Sequence, residues 1–103
     1  MAQQLIVKDT YIPRVGEGKA LLAALREKQQ VWVDTGFPGL ELWKCFHGPH
    51  NSVTTIQRWN NIGEWEAARA RVVQTPELVS VVFDRVYPTN AAPYDTELFE
   101  VME

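Results

Sequence analysis

The chain predicts a single α+β domain with the element order β-α-β-β-α-β, an antiparallel sheet and helices on one sheet face. Three observations lead there. The β-branched run Val53-Thr54-Thr55-Ile56-Gln57-Arg58-Trp59 is followed at once by Asn61-Ile62-Gly63-Glu64, a capping pattern that opens an amphipathic helix. An apolar strand-like run, Gln3 to Ile12, is separated from a second one, Leu40 to His47, by a long helical stripe. The whole chain has only 103 residues, enough for one domain and no more. This order is the ferredoxin-like split βαβ arrangement.

The first strand, Gln3 to Ile12, is rich in Leu, Ile, Val and Tyr and is closed by Pro13. Gly16-Glu17-Gly18 turns the chain into a helix from about Glu17 to Asp34. Leu21, Leu22, Leu25, Gln29 and Trp32 form its core stripe, with Arg26, Glu27 and Lys28 mostly off that stripe. Gly36, Pro38 and Gly39 stop it. The second strand, Leu40 to His47, turns through Gly48-Pro49-His50-Asn51 into the third, Val53 to Trp59. Asn61 and Glu64 can satisfy two orphan backbone donors reciprocally, and the helix runs through Ile62, Trp65, Arg69 and Val72 to about Gln74. Thr75-Pro76-Glu77 restarts a helix to about Tyr87, with a capping hydroxyl, a proline at the first helical position and an acid in the first turn. Tyr94 to Met102 is the last strand.

Composition narrows the function classes. The 11.8 kDa chain has a net charge of −3 and a pI near 5.3, with Lys and Arg dispersed. No basic stripe exists for a nucleic acid. No run approaches the roughly 20 apolar residues of a membrane span, and the N-terminus lacks the pattern of a secretory signal. A lone cysteine, Cys45, excludes an internal disulfide and fits a reducing compartment, so a cytoplasmic location is expected. Four tryptophans are many for this length. They fill a core, line a cavity or form an interface. There is no Gly-rich phosphate loop, nucleophile elbow or paired-carboxylate pattern.

The first strand is apolar on both faces: Leu5, Val7 and Tyr11 lie on one side, Ile6 and Ile12 on the other. The third strand, with Ile56 opposite Val53 and Trp59, is also mixed. Helices cover one face only, so the second face needs another cover. The simplest is a second copy of the chain, giving a homodimer through the sheet.

Three segments carry a family resemblance: Tyr11-Ile12-Pro13-Arg14-Val15-Gly16 entering the first helix, Arg58-Trp59-Asn60-Asn61-Ile62-Gly63-Glu64-Trp65, and the turn Gly48-Pro49-His50-Asn51-Ser52-Val53. With the strand order, they resemble the dimeric α+β barrel superfamily, and within it the small antibiotic-biosynthesis-monooxygenase-like and NIPSNAP-like domains. The resemblance implies the dimeric α+β barrel fold. It also implies a range of chemistries: cofactor-free oxygenation of phenolic polycycles, heme degradation, isomerisation and dehydration. The heme degraders use an asparagine, a tryptophan and a histidine where this chain aligns Asp9, Ala68 and roughly Val82. No histidine follows His50, which disfavours heme degradation.

Individual residues keep two readings each. Asp9, in an otherwise apolar strand, is a base if it faces a cavity and a solvated carboxylate if it faces outward. Tyr11, two residues on and on the same face, either offers a hydroxyl to that space or packs in the core. His47 and His50 flank the hairpin turn. They are solvated turn residues or part of a metal site whose other ligands are not apparent, and His47 is the better proton carrier. Trp32 and Trp65 lie on helix stripes, Trp59 ends a strand, and Trp43 is a candidate for the dimer interface. Arg58 clamps an anion or pairs with a surface acid. Cys45 has no reactive partner nearby and is expected to be inert.

The expected function is binding of a small apolar or aromatic molecule between helices and sheet. If the protein is an enzyme, the expectation is a cofactor-independent monooxygenase using neither metal nor flavin. Asp9 or His47 would then be the catalytic base, with Tyr11, Arg58 and Trp65 binding the ligand. The alternative is a non-catalytic ligand-binding or stress-related dimeric module of the NIPSNAP-like kind. A metal or heme site would need ligands from the partner subunit near His47 or His50.

Overall fold

The computed structural model describes residues 4–45, 47–48, 52–91 and 95–102. The elements are β1 (Leu5–Tyr11), α1 (Gly18–Thr35), β2 (Glu41–Lys44), β3 (Val53–Trp59), α2 (Ile62–Val73), α3 (Pro76–Ser80) and β4 (Asp95–Glu100). They form one four-stranded sheet in the order β2-β3-β1-β4, with every adjacent pair antiparallel. The expected ferredoxin-like α+β arrangement is therefore the one observed. β2 is shorter than expected, and the turn residues Pro49, His50 and Asn51 lie outside the described residues.

Alternation along β1 organises the domain. Leu5, Val7, Asp9 and Tyr11 are buried beneath the helices, while Ile6, Lys8 and Thr10 occupy the other face. The register sets Asp9 opposite Thr55 on β3 and Thr96 on β4. The apolar core consists of two clusters. One gathers Leu5, Val7, Trp32, Phe37, Leu40, Trp59, Ala68, Leu78 and Val81. The other gathers Tyr11, Leu21, Ala24, Leu25 and Val86. Along β1, Asp9 falls between them; along α1, Lys28 falls between Leu25 and Trp32.

α1 corrects the predicted stripe at two positions. Leu22 is exposed and Lys28 is buried. Lys28 lies seven residues from Leu21, four from Ala24 and three from Leu25, so helical spacing puts it on the buried face whatever its charge. Gly36 ends α1 in the left-handed conformation at φ 88°, and the Phe37 N–H donates to the Trp32 carbonyl at 3.0 Å.

The second half departs from the predicted capping in detail. The Glu64 N–H donates to Asn61 Oδ1 at 2.9 Å, as a capping asparagine requires. The Glu64 carboxylate, however, accepts from Asn60 Nδ2 at 3.2 Å. The Thr75 hydroxyl donates back to the Arg71 carbonyl at 2.7 Å instead of capping α3. Beyond α3 the predicted helix continues as a wider π turn, Val81–Val86, and a 3-10 turn, Tyr87–Thr89. The wider winding brings Val81 and Val86, five residues apart, both into the buried layer against α1.

The second sheet face carries Ile6, Trp43, Ile56 and Phe99 among Lys8, Glu41, Arg58 and Glu97. Trp43 is 48% exposed and Phe99 46%. Among the described residues no helix is long and apolar enough to cross a membrane.

Candidate functional site: a cavity between helices and sheet

A cavity of about 590 Å³ opens between the helical layer and the sheet. Its walls are apolar and largely aromatic: Val7 and Trp59 from the sheet, Trp32 from α1, Phe37 and Leu40 from the connection after α1, and Trp65, Ala68 and Val72 from α2. Phe37 packs against both Trp32 and Trp59, each at 5.9 Å between ring centroids, which holds that wall in place. The mouth is bordered by Arg69, Phe83 and Tyr87, and the Arg69 guanidinium sits 4.9 Å from the Trp65 ring.

One part of the lining is polar, where the two core clusters meet. Asp9 is 7% exposed and accepts a hydrogen bond from Thr96 Oγ1 at 2.7 Å. Lys28 is 5% exposed; its Nζ donates to the Tyr11 hydroxyl at 3.2 Å and lies 5.0 Å from the Trp32 ring. Gln57 is held by its Nε2 donating to the Pro38 carbonyl at 2.8 Å. Burial pushes the Lys28 ammonium below the ordinary 10.5 of a lysine, and the nearby Asp9 charge only partly opposes this. Tyr87 is raised above 10.0, first by burial and then by Asp9, with Arg69 acting against both. Trp59 Nε1 is a buried donor without a partner among the described residues.

No protein-family model matches the chain, and no curated protein matches it. Solved structures do. An uncharacterized NIPSNAP-like domain protein from Burkholderia xenovorans superposes with a TM-score of 0.80, at 14% identity, over 99% of this chain and 88% of that one. A NIPSNAP family protein from Agrobacterium tumefaciens gives 0.79 at 13% identity, over 100% and 90%. A second from that organism, with unknown function, gives 0.76 at 17% identity, over 97% and 89%. The chain has the NIPSNAP-like fold.

Within this NIPSNAP-like fold the sequence candidates separate into two groups. Asp9 and Trp65 line the cavity, and Tyr11 is tied to it through Lys28. Arg58 and His47 are not brought there. Arg58 sits on the opposite sheet face, paired with Glu41 at 2.9 Å, and lowers that carboxylate's pKa. His47 is exposed past the end of β2, where its carbonyl accepts from Cys45 Sγ at 3.0 Å. His50 lies outside the described residues. Among the described residues no group of three or more His, Cys, Asp or Glu side chains could hold a metal ion. Of the positions aligned with the heme degraders, Asp9, Ala68 and Val82 all line the cavity, and only Asp9 has a polar side chain.

Sequence reasoning missed Lys28 by placing it, with Arg26 and Glu27, mostly off the apolar stripe of the helix. Its spacing from Leu21, Ala24, Leu25 and Trp32 was the available signal. A lysine at core spacing on a helix otherwise solvated by Arg26 and Gln30 marks a place where the core is interrupted.

Proposed function

We propose that this NIPSNAP-like domain is a ligand-binding module that holds one small, largely apolar or aromatic molecule per protomer in the cavity between helices and sheet. The observation that carries the reading is a single lining with aromatic walls and one polar corner, Asp9 with Lys28. Its volume falls within the roughly 300–1,000 Å³ usual for small-molecule sites. The walls desolvate a ring system, and the polar corner orients it. The functional unit in this reading is a homodimer joined through the sheet face that carries Ile6, Trp43 and Phe99, which leaves both cavities open on the outer layers. Cys45 as a free thiol supports a reducing, cytoplasmic setting. Native mass spectrometry of protein purified from its own cells tests this: a dimer carrying one organic mass per protomer is expected. A ligand-free protein that also fails to quench its tryptophan fluorescence with 2-naphthol would overturn it.

A second reading, cofactor-independent oxygenation, draws on the burial of Asp9 inside the same cavity. There its carboxylate would take a proton from a phenolic substrate, and dioxygen would react with the resulting electron-rich carbon. Oxygen uptake with 1-naphthol that is lost in Asp9→Asn supports this reading; uptake no faster than without protein removes it.

A further inference from the structure

We propose that the Lys28 side-chain amine captures an aromatic or other apolar aldehyde in the cavity as a reversible imine. The inference rests on the cavity being a small-molecule site and names the ligand class that site takes.

Lys28 differs from the other lysines. Lys8 pairs at 3.7 Å with Glu97 on the open sheet face, and Lys19 and Lys44 are exposed. Lys28 is buried, lines the cavity, and has no carboxylate of the described residues within ion-pair distance. An ammonium held this way is costly, because one hydrogen bond to Tyr11 and two aromatic faces replace a full hydration shell. The less costly state is the neutral amine, which is also the nucleophilic one. Burial lowers the pKa of this lysine in the same direction.

The neighbouring groups suit the two steps. Nζ adds to the carbonyl carbon while the C=O electron pair moves onto oxygen. Asp9 stabilises the positive charge that nitrogen carries at that stage. The nitrogen lone pair then forms the C=N bond as the C–O bond breaks. Both Nζ protons finish on the departing oxygen, relayed by the Tyr11 hydroxyl 3.2 Å away, and the oxygen leaves as water. Amine and aldehyde become imine and water, with no oxidant or reductant. Trp32, Trp59 and Trp65 supply the apolar enclosure that selects an aryl or long-chain aldehyde and keeps bulk water from the imine.

The test is reductive trapping of the intact protein with 2-naphthaldehyde and cyanoborohydride at neutral pH, where hydride delivered to the C=N bond fixes the adduct as a secondary amine. Peptide mapping is expected to place one adduct on Lys28, formed at least about tenfold faster than on Lys8, Lys19, Lys44 or the N-terminal amine. Lys28→Met, confirmed as folded by circular dichroism, is expected to lose that adduct. In parallel, 2-naphthalenemethanol, the same ring without the carbonyl, is titrated against wild-type tryptophan fluorescence. Adducts spread over exposed amines while the alcohol binds would overturn imine capture and leave the cavity reading standing. Failure of both arms would overturn both.

Discussion

The Lys28 side-chain nitrogen donates to the Tyr11 hydroxyl at 3.2 Å inside the protein, with Tyr11 wholly buried. The pair joins α1 to β1 where neither apolar cluster is continuous, and Asp9 lies two residues along the same face of β1. A polar group buried at the seam of two cores is usually satisfied locally or serves a ligand. Here the Tyr11 hydroxyl accepts from Lys28, and both Lys28 and Asp9 line the cavity.

Replacing Lys28 with Met keeps the stem and removes the buried amine. Because burial outweighs the attraction of Asp9, the variant is expected to gain about 1 kcal/mol near neutral pH by urea unfolding. The unfolded chain titrates at the ordinary lysine value and the folded chain below it. Between the two the unfolded state binds more protons, so wild-type stability rises with pH there. The advantage of the variant should therefore shrink as pH rises toward the ordinary lysine value of 10.5. Tyr87, raised above 10.0, makes stability fall at higher pH, but it does so in both proteins and cancels in the difference. Of the other groups around Lys28, Asp9, Tyr11 and Arg69 are also common to both. A gap that stays constant or widens would contradict a depressed Lys28.

Asp9→Asn should move two titrations the same way. Asp9 raises both Lys28 and Tyr87, so its removal is expected to lower the midpoint of Lys28, read from its Cε resonance, and that of Tyr87, read from tyrosinate absorbance. Unchanged midpoints would place Asp9 too far away to act on either.

Trp43→Glu and Phe99→Glu place a charge in the apolar part of the open sheet face. Light scattering after gel filtration is expected to show a dimer for wild type and a monomer for the variants, with the helical circular dichroism retained. A monomeric wild type would remove the proposed second cover of the sheet.

Gly36→Ala is expected to cost about 1 kcal/mol, because Gly36 ends α1 at φ 88°, where a side chain is strained. Gly39→Ala is the control. No positive φ is required there and an added methyl meets nothing within 4 Å, so its melting temperature should stay close to wild type.

Local physics made the architecture legible. Period-two apolar runs, the Asn61 cap, the Gly36 stop and the Thr75-Pro76 restart each act over a few residues, and together they fix the element order. The two-faced β1 was legible for the same reason. The site was only partly so. Asp9 and Trp65 could be nominated because a carboxylate in a strand and an indole on a helix stripe break or reinforce a visible pattern. What sequence alone determined is this list of elements and their order. The tertiary structure decided that Asp9 and Lys28, on the successive elements β1 and α1, meet the same cavity, while Arg58 and His47 do not. Facing depends on register and helix rotation, which long-range packing sets after every local choice has been made.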